Sequence, residues 1–170
     1  MFHVILYQPE IPSNTGNIIR LCANTGVVLH LIHPLGFALD DTRLRRAGLD
    51  YHEFAAVQEY ASLDDCRRRL APARLFACST RGTRPHSDPV FRPGDAFLFG
   101  PETRGLPEGV LDDCTAPYTL RLPMRPGSRS LNLANAVAVV VYEAWRQADF
   151  AGAAAGPAGS PGPTVPGRRR

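Results

Sequence analysis

Leu122-Pro123-Met124-Arg125-Pro126-Gly127-Ser128-Arg129-Ser130-Leu131-Asn132-Leu133-Ala134-Asn135-Ala136-Val137 begins like a strand, breaks into a Pro/Gly loop and launches an apolar helix. This stretch decides how the rest of the chain is read. A helix start gathers free backbone N–H groups, so such a junction can hold carbonyl, hydroxyl or phosphate oxygens with main-chain donors, and Ser130 is the expected cap. Two other polar, glycine-containing segments have a similar makeup: Asn14-Thr15-Gly16-Asn17-Ile18-Ile19-Arg20 and Phe99-Gly100-Pro101-Glu102-Thr103-Arg104-Gly105-Leu106-Pro107. The three are expected to share one site.

Working outward, short β-rich runs alternate with helical stretches. The pattern predicts strands at 3–7, 27–32, 54–57, 74–79, 96–99 and 118–122 and helices at 15–24, 63–70, 107–114 and 131–148, with a basic amphipathic turn at 40–47. This alternation implies an α/β fold, a mostly parallel sheet with helices on both faces. In the closing helix Val137, Val140, Val141, Ala144 and Trp145 recur at helical spacing, but Ala134 to Val141 make it apolar nearly all round. A terminal helix of that kind is hard to bury in a small monomer, which predicts self-association.

The 170 residues, 44% hydrophobic and 21% charged, suffice for one packed domain, placed at 1–150. Residues 151–170 collapse into Ala, Gly, Pro and Ser before Arg168, Arg169 and Arg170, a composition expected to stay disordered. Those three arginines account for the net charge of +3, so the body is near neutral. The chain has no lysine; arginine's planar fork suits phosphate and base stacking, though genomic base composition accounts for the usage equally well. Cys22, Cys66, Cys78 and Cys114 form no CxxC pair and the five histidines show no metal spacing, which fits a reduced, metal-free, cytoplasmic protein. The amino terminus reads as a first strand and not as a signal peptide, and no apolar run approaches the ~20 residues that span a bilayer. No membrane association is expected.

GxGxxG and GxxxxGK[ST] are both absent, so neither an ordinary dinucleotide site nor a P-loop is indicated. Gly100 and Gly105 instead bracket a polar loop just after a strand, where ligands meet α/β sheets. Asn17 and Arg20, three apart, share one helical face. Taken singly, these are a tight turn and a capped surface helix.

Together and in order, the three segments resemble the motifs of the SpoU branch of the SPOUT RNA methyltransferases. Asn14, Gly16 and Arg20 match NxGxxxR; Gly100, Glu102 and Gly105 match GxExxG; Leu122 to Val141 match a strand end followed by SLN and an Ala/Val-rich helix. Within that branch, Pro9-Glu10-Ile11-Pro12, Leu21-Cys22-Ala23-Asn24-Thr25-Gly26, Arg43-Leu44-Arg45-Arg46-Ala47-Gly48-Leu49-Asp50-Tyr51-His52 and Val141-Tyr142-Glu143-Ala144-Trp145-Arg146-Gln147 are similar to the minimal tRNA (cytidine/uridine-34) 2'-O-methyltransferases.

The resemblance implies a deep trefoil knot near the carboxyl end, a homodimer, S-adenosylmethionine as methyl donor and the tRNA anticodon loop as substrate. It carries donor contacts to Cys78, Gly100, Leu122 and Ser130, and the reaction to Arg20, with Asn14, Glu102 and Asn132 placing the ribose and holding the loops. Cys78 stands where similar proteins often have leucine. Arg20 is a poor base, since a guanidinium pKa exceeds about 12; anchoring a phosphate and stabilising alkoxide charge suit it better. Arg43, Arg45, Arg46 and Arg129 are candidates for the RNA backbone. A ribosomal RNA substrate and a non-catalytic RNA-binding module are the alternatives.

Overall fold

In a computed structural model, residues 1–39, 57–114 and 118–154 are described. Among the described residues seven strands form one sheet: β1 (His3–Tyr7), β2 (Val28–Ile32), β3 (Val57–Tyr60), β4 (Arg74–Cys78), β5 (Arg84–Pro85), β6 (Asp95–Phe99) and β7 (Thr119–Arg121). Their order is β3-β2-β1-β6-β4-β7-β5, and every recorded pairing is parallel. Parallel strands need cover on both faces, which explains why β6 is buried along its whole length.

The alternation of side chains supplies two cores. On one face Val4, Leu6, Leu29, Leu31, Phe76 and Phe97 meet α1 (Pro12–Thr25) and the last helix, Leu133–Gln147, through Ile18, Ile19, Val137 and Val141. On the other, Ile5, Ile32, Ala77 and Leu98 meet α2 (Leu63–Leu70) through Leu63 and Cys66, and Leu106 and Cys114 beside α3 (Glu108–Asp112). The last helix is α4. Helices on both faces of a parallel sheet are as the sequence implies. No helix among the described residues is long and apolar enough to cross a membrane.

Local chemistry sets the helix ends. Ser62 caps α2, accepting from Asp65 N at 3.1 Å, and Gly26 closes α1 in the left-handed region at φ +69°. α1 has no side-chain cap of its own and no acidic residue in its first turn, so its positive end awaits a partner from elsewhere.

Several expectations need correction. Ser130 does not cap α4; Asn132 does, its side chain accepting from Ala134 N at 2.9 Å and Asn135 N at 3.4 Å. β3 lies at Val57–Tyr60, since parallel pairing of Leu29 with Val57 and Ile32 with Tyr60 brings Tyr60 into the second core. β5 escaped the sequence reading because it has only two residues, one of them proline. An ion pair also emerged: Asp95, wholly buried, accepts from Arg74 Nε at 2.9 Å and Nη2 at 2.6 Å and from Arg92 N at 2.7 Å. The basic turn at 40–47, residues 54–56 of the expected third strand and residues 155–170 lie outside the described residues.

Candidate functional site

The loops leaving the carboxyl ends of β4, β6 and β7 surround a cavity of about 520 Å³, with the start of α1 on its rim. Asn14, Cys78, Gly100, Glu102, Leu122, Ser130 and Asn132 all line it. Arg20 and Arg129 are exposed and lie off this lining. Arg43, Arg45 and Arg46 fall outside the described residues.

Backbone packing explains the glycines. A Cβ on Gly100 would sit 2.3 Å from Leu106 N and 2.4 Å from Gly105 C, because the loop folds back on its own start. Gly105 itself turns at φ +70°, and its N–H donates to Pro101 O at 2.9 Å. Gly82, which the sequence reading passed over, is as crowded: its Cβ would lie 2.5 Å from Leu120 C and O.

One residue from each motif joins a hydrogen-bonded chain. The Glu102 carboxylate accepts from Glu10 N at 2.8 Å, Ile11 N at 3.2 Å and Asn14 Nδ2 at 3.0 Å. Asn132 Nδ2 donates to Asn14 Oδ1 at 2.9 Å, and Asn132 Oδ1 caps α4. The direction is forced from one end: an ionised carboxylate only accepts, so Asn14 must present its nitrogen to Glu102 and its oxygen to Asn132. Glu102 thus supplies the negative charge at the start of α1 from 88 residues further along the chain. Asn14 can be buried to 6% exposure because its amide is paired at both ends.

Glu10, Gln8 and Thr103 were given no role from sequence. Thr103 donates to Glu10 Oε2 from its N–H at 3.1 Å and its hydroxyl at 2.6 Å, and Arg104 Nη2 donates to Gln8 Oε1 at 2.9 Å. The Thr103 hydroxyl, then its N–H, hold the Glu10 carboxyl below the usual range. The only sequence signal was an acidic residue in Pro9-Glu10-Ile11-Pro12, just ahead of a helix start. Burial pushes the Cys78 thiol far above its ordinary value, so it serves as apolar wall and not as a thiolate. With Leu106, Leu122 and Leu133 it gives the lining apolar surface suited to a flat, weakly polar ring, while loop amides and hydroxyls of the same lining suit polar groups.

The SpoU rRNA Methylase family matches residues 1–142. A tRNA (cytidine(34)-2'-O)-methyltransferase of Methylovorus glucosotrophus is 60% identical over 153 residues, covering 90% of this chain and 99% of that protein. A solved structure described as giving insight into the 2-OH methylation of C/U34 on tRNA superposes with a TM-score of 0.80 at 48% identity, covering 88% of this chain and 97% of that one. The AdoMet-bound rRNA methyltransferase from Sinorhizobium meliloti superposes with a TM-score of 0.74 at 26% identity, covering 85% of this chain and 56% of that one. The family match takes in all three motif segments and most of the chain's length, and the chain belongs to the SpoU rRNA Methylase family.

Proposed function

We propose that the chain is a tRNA 2'-O-methyltransferase, transferring a methyl group from S-adenosylmethionine to the ribose 2'-hydroxyl of nucleotide 34, the wobble cytidine or uridine of the anticodon loop. The observation that carries this reading is the Glu102–Asn14–Asn132 chain on one cavity wall, which draws a residue from each motif to one place. The position on tRNA is supported by a relative of that activity, 60% identical and matched over 99% of its length. The rRNA enzyme is 26% identical against 60% for the relative named for tRNA, which favours tRNA over ribosomal RNA.

The residues present suit the donor. Cys78 and Leu122 offer apolar surface, Gly100 a backbone with no side chain in the way, and Ser130, on the loop that Leu122 begins, a hydroxyl. S-adenosylmethionine supplies a methyl group on a positively charged sulfur, already activated for displacement. What this chain adds is placement and charge stabilisation. Asn14, Glu102 and Asn132 hold the loops and the starts of α1 and α4 in register. Arg20 anchors the adjoining phosphate and steadies charge developing on the 2'-oxygen, the proton leaving late. Arg129, exposed on the loop before α4, meets the RNA backbone, with Arg43, Arg45 and Arg46 in the same role.

The reading includes a cytoplasmic homodimer. α1 and α4 pack in one layer, and α4 leaves Val139 and Tyr142 uncovered, 41% and 48% exposed. In this reading Arg20, exposed on α1 of that layer and off the lining of its own chain's cavity, serves the cavity of the partner protomer. The reading also includes a trefoil knot around β4, β6 and β7, supported by the approach of Gly82 to the Leu120 backbone, too close for a Cβ. The test is incubation of the protein with methyl-labelled S-adenosylmethionine and bulk tRNA or, in parallel, ribosomal RNA, followed by nuclease mapping. Label is expected on the ribose of nucleotide 34; label on a base, on ribosomal RNA or on no RNA refutes the assignment.

A further inference from the structure

We propose that Glu10 is a positioning residue of the methyl-donor cavity, its carboxylate holding the Pro101–Gly105 wall against the segment that enters α1. The inference rests on the functional reading above and goes beyond the three motifs, none of which contains Glu10. Two adjacent peptide segments exchange carboxylates here. Glu102 reaches back to the N–H groups of Glu10 and Ile11, while Glu10 reaches forward to the N–H and hydroxyl of Thr103. Both Thr103 bonds end on one oxygen, Glu10 Oε2, so the wall is pinned at a single point.

Glu10 is itself backed so that it cannot retreat. Gly36 N donates to Pro9 O at 2.9 Å, and a Cβ on Gly36 would lie 2.8 Å from Glu10 Cα. The clasp therefore joins a fixed backing to a loop of which Pro101, Glu102, Thr103, Arg104 and Gly105 all line the cavity. Glu102 orients Asn14 and the helix starts; Glu10 fixes the stretch beyond Glu102, where Thr103 and Arg104 are exposed. Releasing Thr103 lets that wall drift from the ligand, and binding geometry is lost before the fold is.

The test is calorimetric titration of S-adenosylhomocysteine into the full chain, with amide hydrogen exchange across residues 101–105. Glu10→Ala is expected to weaken binding about tenfold, on the scale of one charge-assisted hydrogen bond, and to speed exchange at Thr103. Turnover at saturating methyl donor should fall less than about threefold, so the loss is in KM and not kcat. Glu10→Gln keeps an oxygen where both Thr103 donors converge and should restore binding to within about threefold of the unmodified protein. Should Glu10→Ala not fold, Thr103→Val, which removes the hydroxyl donor at nearly constant volume, is expected to weaken binding severalfold. Glu10→Ala or its Thr103→Val substitute binding within about twofold of the unmodified protein, or Glu10→Gln no better than Glu10→Ala, overturns the proposal. An unmodified chain that does not bind S-adenosylhomocysteine overturns the functional reading, and this inference with it.

Discussion

Glu102→Gln replaces an acceptor-only group by one that both donates and accepts, while hardly changing its volume. Three donors converge on this carboxylate, Glu10 N at 2.8 Å, Ile11 N at 3.2 Å and Asn14 Nδ2 at 3.0 Å, and glutamine has one oxygen for them. If that oxygen serves Ile11 and Asn14, the new NH₂ faces Glu10 N, leaving a donor unpaired at about 1–3 kcal/mol. If it serves Glu10, Asn14 must turn over and Asn132 after it. That strips Ala134 N and Asn135 N of their acceptor, and losing such a helix cap costs about 1 kcal/mol beyond the mispairing. The surviving bonds also lose charge assistance. The network is only partly buried, so the total is set at about 2 kcal/mol, a fall in Tm of roughly 4–8 °C for a domain of this size. Thermal and urea unfolding followed by circular dichroism measure it, and adding Asn14→Ala should give a non-additive change of at least about 0.5 kcal/mol. Stability within about 0.5 kcal/mol of the unmodified chain, or strict additivity, refutes a directional chain.

Four other outcomes are expected. Arg74→Ala leaves Asp95 buried without its ion partner and should cost about 3–5 kcal/mol in urea unfolding; a loss below about 1 kcal/mol contradicts the ion-pair account. Burial and the neighbouring His3 push the His30 pKa down to about 4, so between that value and about 6.5 the unfolded chain binds the extra proton. Stability from this group is full above about pH 6.5 and falls toward pH 4 by up to about 3 kcal/mol; His30→Gln should flatten that slope, and an unchanged slope counts against it. Gly100→Ala forces a Cβ into Leu106 N and should abolish S-adenosylhomocysteine binding while costing about 1–3 kcal/mol; normal binding refutes it. Arg20→Lys keeps the charge but not the planar fork, so single-turnover methylation should drop at least about tenfold with tRNA affinity little changed, and near-normal turnover excludes a need for the fork.

The layers and most strands were legible because parallel strands covered on both faces leave dense apolar runs, as in residues 95–99. The cavity was legible because Asn14, Gly100, Glu102 and Asn132 sit at strand ends and helix starts, where polar residues have local reasons to be. Ser130 and Asn132 are equivalent caps by composition. The choice falls to Asn132 because α4 begins where Leu133, Val137 and Val140 can all reach the core, and because Asn132 Nδ2 finds Asn14. No local pattern announces that second contact, 118 residues apart. Glu10 was unreadable for the same reason: an acidic residue beside prolines looks like surface until Thr103 is folded onto it. Arg74 and Asp95 likewise resemble ordinary surface charges at strand starts until β4 and β6 pair in register.

The borrowed charge at the head of α1 bears on how a nascent chain matures. β1 has β2 beside it early, but its other flank stays open until β6 emerges from the ribosome some 90 residues later. At about 5–20 residues per second, translation leaves that flank and the uncapped helix waiting on the order of ten seconds. The amino-terminal third is therefore finished last as well as made first, and a truncated polypeptide ending before Glu102 can have neither a completed sheet nor a settled first helix.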